Sequence, residues 1–130
     1  MTAALLDTSV VIGGVSASAA RLPESAAISV ITIGELRAGV RLARDPSSRA
    51  ARQRRLNAIL DAFAPLPVDE LVAEHYGEIL AIARSAGRAS KATDLLIIAT
   101  AAATGRTLHT LDDRQALIAR RARVAVTARR

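Results

Sequence analysis

Cysteine and tryptophan are absent from this chain of 130 residues, phenylalanine and tyrosine occur once each as Phe63 and Tyr76, and Lys91 is the single lysine. Each shortage removes a class of function. Without thiols there is no disulfide scaffold, zinc ribbon, dithiol redox site or cysteine nucleophile, and a reducing compartment is expected. Two aromatic rings are too few to read nucleic-acid bases by stacking, so any recognition of that kind must use phosphates and shape. No apolar run approaches the ~20 residues needed to cross a bilayer, since the longest, Leu95 to Ala103, is interrupted by Thr100. Asp7 follows directly on Leu5 and Leu6 with no basic region ahead of them, unlike a signal peptide. A cytoplasmic protein with no membrane partner is expected.

What is present is a chain that is 51% hydrophobic and 23% charged, apolar enough to bury a core. Its length suits one domain spanning residues 1–130, burying about two-thirds of the surface of the unfolded chain. Eighteen basic residues against 12 acidic ones give a net charge of +6, and all the basic residues but Lys91 are arginine. The planar guanidinium fork suits phosphate better than a point charge does. The arginine and alanine richness equally fits a coding bias, which would say nothing of partners.

Strand-like and helix-like segments alternate, which predicts an α/β fold with a mostly parallel sheet covered on both faces. Ala3 to Leu6 and Ala26 to Ile31 read as buried strands. Helical spacing follows from Thr32 to Leu42, with Ile33, Leu36, Val40 and Ala43 on one face, ended by Asp45, Pro46 and Ser47. Ser48 to Ala64 reads as a polar-faced helix whose apolar stripe is Leu56, Ile59, Leu60 and Phe63, a stripe that suits the core better than a subunit interface. A short strand from Leu66 to Val68 and a helix marked by Leu71 to Ile82, closed near Gly87, come next. Ser90 opens a helix that is apolar on every side until Gly105. Thr107 to Leu111 and Val124 to Thr127 are the last strands, with a helix from Asp113 to Arg121 between them.

Five acids fall at informative places. Asp7 ends the first strand, Glu35 opens the helix after the second, Asp112 and Asp113 end the strand from Thr107, and Asp94 lies in the first turn of the apolar helix. In a parallel sheet those strand ends, and the starts of the helices that cross back, share one edge, so residues far apart in sequence can line one crevice. Each acid also has a plainer reading as a helix cap: Thr32 with Glu35 fits the S/T-x-x-E capping box, and one of Asp112 and Asp113 is expected to be only a cap. Thr8 and Ser9 are candidates either to hold these acids or to cap the first short helix.

Setting the five aside leaves 7 acids against 18 basic residues, so negative charge is concentrated at one edge of an otherwise positive molecule. Carboxylates that close protonate or push apart unless a cation neutralises them. With carboxylate ligands and the hydroxyls of Thr8, Ser9, Thr93 and Thr110 nearby, Mg²⁺ or Mn²⁺ is favoured over Zn²⁺.

The segments LLDTSVVI (Leu5 to Ile12), ITIGELRAGV (Ile31 to Val40), KATDLLIIATA (Lys91 to Ala101) and LHTLDD (Leu108 to Asp113) resemble the successive acidic motifs of PIN-domain ribonucleases, above all the VapC toxins of bacterial toxin-antitoxin pairs. The resemblance runs in order along essentially the whole chain. It implies a three-layer α/β/α sandwich, a carboxylate site holding Mg²⁺, with Mn²⁺ as substitute, and endonucleolytic cleavage of RNA. By position Asp7, Glu35, Asp94 and Asp112 match the motif acids, as catalytic residues and metal ligands. Many relatives continue with a second acid and an aromatic where this chain has Asp113, Arg114 and Gln115. The resemblance further implies a cognate VapB-like antitoxin and a homodimer.

Metal-activated water needs no histidine base, and His75 and His109 read as ordinary helix and strand residues. Arg49, Arg52 and Arg55, with Arg54 alongside, recur at spacings of three, and Arg120, Arg121, Arg123, Arg129 and Arg130 crowd the C-terminus. They are candidates for RNA phosphate contacts or a solvated face, and Arg37 either nears the site or faces solvent. The alternatives are an RNA-binding PIN-like domain without turnover and a haloacid-dehalogenase-type phosphatase. The latter wants D-x-D, where this chain has Ser9 in the second position.

Overall fold

A computed structural model describes residues 3–13, 25–88 and 90–128. Its strands are β1 (Ala4–Leu6), β2 (Ala26–Ser29), β3 (Pro65–Leu66), β4 (Thr107–Thr110) and β5 (Val126–Ala128). Its helices are α1 (Thr8–Ile12), α2 (Val30–Arg41), α3 (Pro46–Ala62), α4 (Glu70–Ser85), α5 (Ala92–Thr104) and α6 (Asp113–Arg121). The five strands form one sheet in the order β3-β2-β1-β4-β5, and every pairing is parallel.

The layering follows from two adjacent residues. Successive side chains on a strand point to opposite faces. Leu5 enters a core with Leu108 and residues of α4, α5 and α6, whereas Leu6 enters a second core with Ile28 and residues of α1, α2 and α3. Both leucines are fully buried. The outcome is the expected three-layer α/β/α sandwich.

Several boundaries differ from the expected ones for identifiable reasons. Strand β2 stops at Ser29 rather than Ile31, because the Ser29 hydroxyl accepts from the Ile31 N–H and caps α2 at once. Asp45 and Pro46 do not merely end α2: Asp45 accepts from the Ser48 N–H, and Pro46 sits in the first turn of α3, where its missing N–H costs nothing. The residue flanking α5 is Lys91, which has no side-chain acceptor, so Ser90 does not cap it. Strand β3 ends at Leu66 and β5 begins at Val126. Gly105 does end α5, in the left-handed conformation (φ 64°) expected of glycine there. On α3, Leu56 and Ile59 are core, Phe63 packs partly against them, and Leu60 stays exposed. Arg129 and Arg130 lie outside the described residues.

The sheet order places the site. From β1 the chain runs to β2 and β3 on one side and later to β4 and β5 on the other. In such sheets the carboxyl ends of the two diverging strands frame a crevice. Here those are β1, followed by Asp7, and β4, followed by Leu111 and Asp112. The Asp7 N–H donates to the His109 carbonyl at 2.9 Å, which ties the two strand ends together.

Candidate active site

Asp7 is 4% exposed. Its extended backbone makes it the N-cap of α1, with Oδ2 accepting from the Ser9 N–H at 3.1 Å. The same oxygen accepts from Ser9 Oγ at 2.6 Å and Thr110 Oγ1 at 3.3 Å, while Oδ1 accepts from Gln115 Nε2 at 3.1 Å. These four donors replace the water that a buried carboxylate loses. The plainer reading of Asp7 as a cap is therefore correct, and it coexists with a place in the crevice.

Ser9 and Thr110 belong to the same network. The Ser9 hydroxyl also accepts from the Leu111 N–H at 3.0 Å, and Thr110 Oγ1 accepts from the Asp112 N–H at 2.9 Å. The β4–α6 turn is thus fastened to the end of β1.

Glu35 is not a capping-box residue. With α2 beginning at Val30 it lies in the second turn, and Ser29 does the capping. Thr8 Oγ1 donates to Glu35 Oε1 at 2.6 Å and lies 3.0 Å from Thr32 Oγ1. Thr32, fully buried, packs beneath this contact instead of starting the helix.

Asp94 is half-buried in the first turn of α5 and forms no side-chain hydrogen bond among the described residues. Its carboxyl is pushed up to about 6, first by burial and then by the charges of Asp7 and Asp112; Glu35 adds to this and Lys91 opposes it. The three other acids therefore all lie within electrostatic reach of Asp94. Asp112 is also the N-cap of α6, Oδ1 accepting from the N–H groups of Arg114 at 2.9 Å and Gln115 at 3.3 Å. Asp113 is exposed in the first turn of α6, and of the two neighbours it is Asp112 whose charge Asp94 feels.

The four acids come from four elements to one edge. Among the described residues, however, no group of three or more His, Asp or Glu side chains is arranged to hold a metal ion directly. The donor chemistry fits a hard cation all the same: every candidate ligand is oxygen, and Asp94 is an otherwise unpartnered carboxyl facing three like charges. Mg²⁺ keeps several waters and takes only one or two carboxylates directly, so a preformed cage is not required.

Gln115 escaped sequence reasoning. It is 2% exposed and donates to Asp7 and to the Asp94 carbonyl. A signal existed, because it shares the inward face of α6 with Ile118 and Ala119, where a polar side chain is out of place.

The arginines divide by task. Arg49 donates to the Ala43 carbonyl at 3.1 Å and Arg52 to the Gly39 carbonyl at 2.6 Å, bracing α3 on the end of α2. Arg52 and Arg55 line a cleft of about 250 Å³ that Glu35 also lines. Arg37, Arg41 and Arg49 line a second cleft of about 440 Å³ between α2 and α3. Arg37 is exposed and belongs to the second cleft, whose lining includes none of the four acids.

A parallel sheet with acids at its switch point defines the class as a doubly wound α/β protein with an acidic crevice, and comparison with known proteins supplies the family. The PIN domain family model matches residues 4–121. Ribonuclease VapC8 of Mycobacterium tuberculosis is 45% identical over 100 residues, covering 75% of this chain and 88% of that protein. A crystal structure of VapBC-5, a member of the VapBC family of toxin-antitoxin systems from the same species, superposes with a TM-score of 0.84 at 33% identity, covering 97% and 98% of the two chains. FitAcB from Neisseria gonorrhoeae gives 0.79 at 34% identity, covering 95% of each. The chain belongs to the PIN-domain family and, within it, to the VapC ribonuclease toxins.

Proposed function

We propose that this protein is a Mg²⁺-dependent endoribonuclease, with Mn²⁺ able to substitute, acting as the toxin of a VapBC-type pair. The observation that carries the reading is the convergence of Asp7, Glu35, Asp94 and Asp112 from four separate elements on one end of the sheet. Membership in the VapC family and the likeness to VapBC-5 support a cognate VapB-like antitoxin as partner, and the proposal includes a homodimer, which rests on the sequence resemblance alone.

Asp7, Glu35, Asp94 and Asp112 would hold the ion, directly or through water. When bound, it supplies a water of lowered pKa and neutralises charge on the phosphate oxygens. The chain's own residues do the positioning. Ser9, Thr110 and Gln115 fix the Asp7 carboxylate, Thr8 fixes Glu35, and the cap on α6 fixes one oxygen of Asp112. Arg52 and Arg55, across their cleft from Glu35, are placed to draw the RNA backbone towards the acids, and Arg37, Arg41 and Arg49 extend that positive surface.

The test is incubation of the purified protein with total RNA, with and without EDTA, followed by sequencing of 5′-phosphate ends. Cleavage that EDTA abolishes, leaving 5′-phosphate and 3′-hydroxyl termini, is expected. RNA binding without cleavage, or cleavage indifferent to EDTA, ends the proposal.

A further inference from the structure

Gln115 bonds to three of the four acid-bearing residues. Its Nε2 donates to Asp7 Oδ1 at 3.1 Å and to the Asp94 carbonyl at 3.2 Å, and its backbone N–H donates to Asp112 Oδ1 at 3.3 Å. Both partners of Nε2 are acceptors only, so the amide cannot be reversed without setting oxygen against oxygen. Oε1 is left buried with no hydrogen-bond partner among the described residues. An orphaned buried acceptor is unfavourable, and an apolar side chain would suit this face of α6 better if packing were all that mattered.

The distribution of donors on Asp7 sharpens the point. Oδ2 takes three of them, from Ser9 N, Ser9 Oγ and Thr110 Oγ1, and is saturated. Among the described residues Oδ1 takes only Gln115, which leaves it a lone pair. The oxygen left open for a cation is therefore the one Gln115 grips.

We infer that Gln115 is a positioning residue for the metal site, presenting Asp7 Oδ1 to the cation and fixing β1 against the first turn of α5. The inference rests on the metal reading above. Partners that orient a metal ligand change metal affinity by about 10–100-fold when removed.

The experiment compares Mn²⁺ binding by calorimetry, alongside thermal melting, in the wild-type protein and in Gln115→Met, which keeps length and loses the donor. The variant is expected to melt cooperatively and to bind Mn²⁺ about 10–100-fold more weakly. Affinity within twofold of the wild type overturns the inference and leaves the metal reading standing, whereas no Mn²⁺ binding by the wild-type protein overturns both. Should Gln115→Met fail to fold, the wild-type protein still decides by NMR: the Gln115 side-chain amide resonances are expected to shift on Mg²⁺ titration. Resonances that stay unmoved at saturation overturn it.

Discussion

The hydroxyl of Thr8 donates to Glu35 across 2.6 Å, joining the residue that opens α1 to an acid 27 positions further along the chain. Bonds to a charged acceptor contribute about 1.5–3 kcal/mol, more than neutral ones. Replacing Thr8 with valine preserves shape and removes the donor. The expected outcome is a cooperative fold destabilised by about 1–3 kcal/mol in denaturant melts. Mn²⁺ affinity is expected to drop about 10-fold or more, measured by calorimetry.

Asp94→Asn removes the charge that faces three other acids without changing shape. EDTA-sensitive RNA cleavage should disappear, while the metal-free protein melts no lower than the wild type because a like-charge contact has gone. Asp7→Asn should also abolish cleavage; asparagine is the correct choice there, since alanine would delete the cap of α1 as well. Retained cleavage in both variants would remove the acids from the reaction.

The pH dependence follows from the raised carboxyl of Asp94. Its folded value, about 6, lies above the ordinary 3.8, so the folded state holds this proton more tightly than the unfolded chain does. This contribution to metal-free stability is present below the lower value, falls as pH rises between the two, and is lost above about 6. Mn²⁺ affinity should move oppositely, rising over the same window as the competing proton leaves and levelling above it. Melting curves and Mn²⁺ titrations from pH 4 to 8, roughly the span of that titration, check both slopes.

Arg37 and Arg55 line the two basic clefts and make no hydrogen bond to another described residue. Changing each to glutamine should raise KM for RNA with little change in kcat. The slope of log affinity against log salt should fall by about 0.7 for each arginine that touches a phosphate of single-stranded RNA. An unchanged slope would assign these side chains to a solvated face.

Gly13 ends α1 beside the β4–α6 turn, where an added Cβ would stand 2.6 Å from a Leu111 methyl and 2.7 Å from the Ser9 carbonyl oxygen. The methyl can move, but the carbonyl is backbone. Gly13→Ala should therefore destabilise the fold by about 1–3 kcal/mol and loosen the Ser9–Leu111 fastening, seen as faster amide exchange at Leu111.

The alternation of strands and helices, the all-round apolar character of α5 and the glycine at its end were legible because each is a local pattern with one physical meaning. The gathering of the acids was legible for a topological reason: parallel strands send their ends to one edge whatever the side-chain details. Capping was not. Thr32 and Glu35 match a capping box by spacing alone, yet Thr32 is buried beneath the Thr8 contact and Ser29 caps α2. The same letters serve a helix start and a buried polar contact, and only the third dimension separates them. Gln115 was hidden likewise, since its partners lie 21 and 108 positions away.

Leu5 and Leu6 commit their strand to a single setting. Asp7 comes next on the chain, so a slip of one residue in β1 would exchange the two leucines between their cores and carry the carboxylate out of reach of Ser9, Thr110 and Gln115. Assembly and competence are thus decided by one event. A chain whose first strand has paired one residue out of register would lack the fastened Asp7 carboxylate, and with it the site on which the proposed cleavage rests.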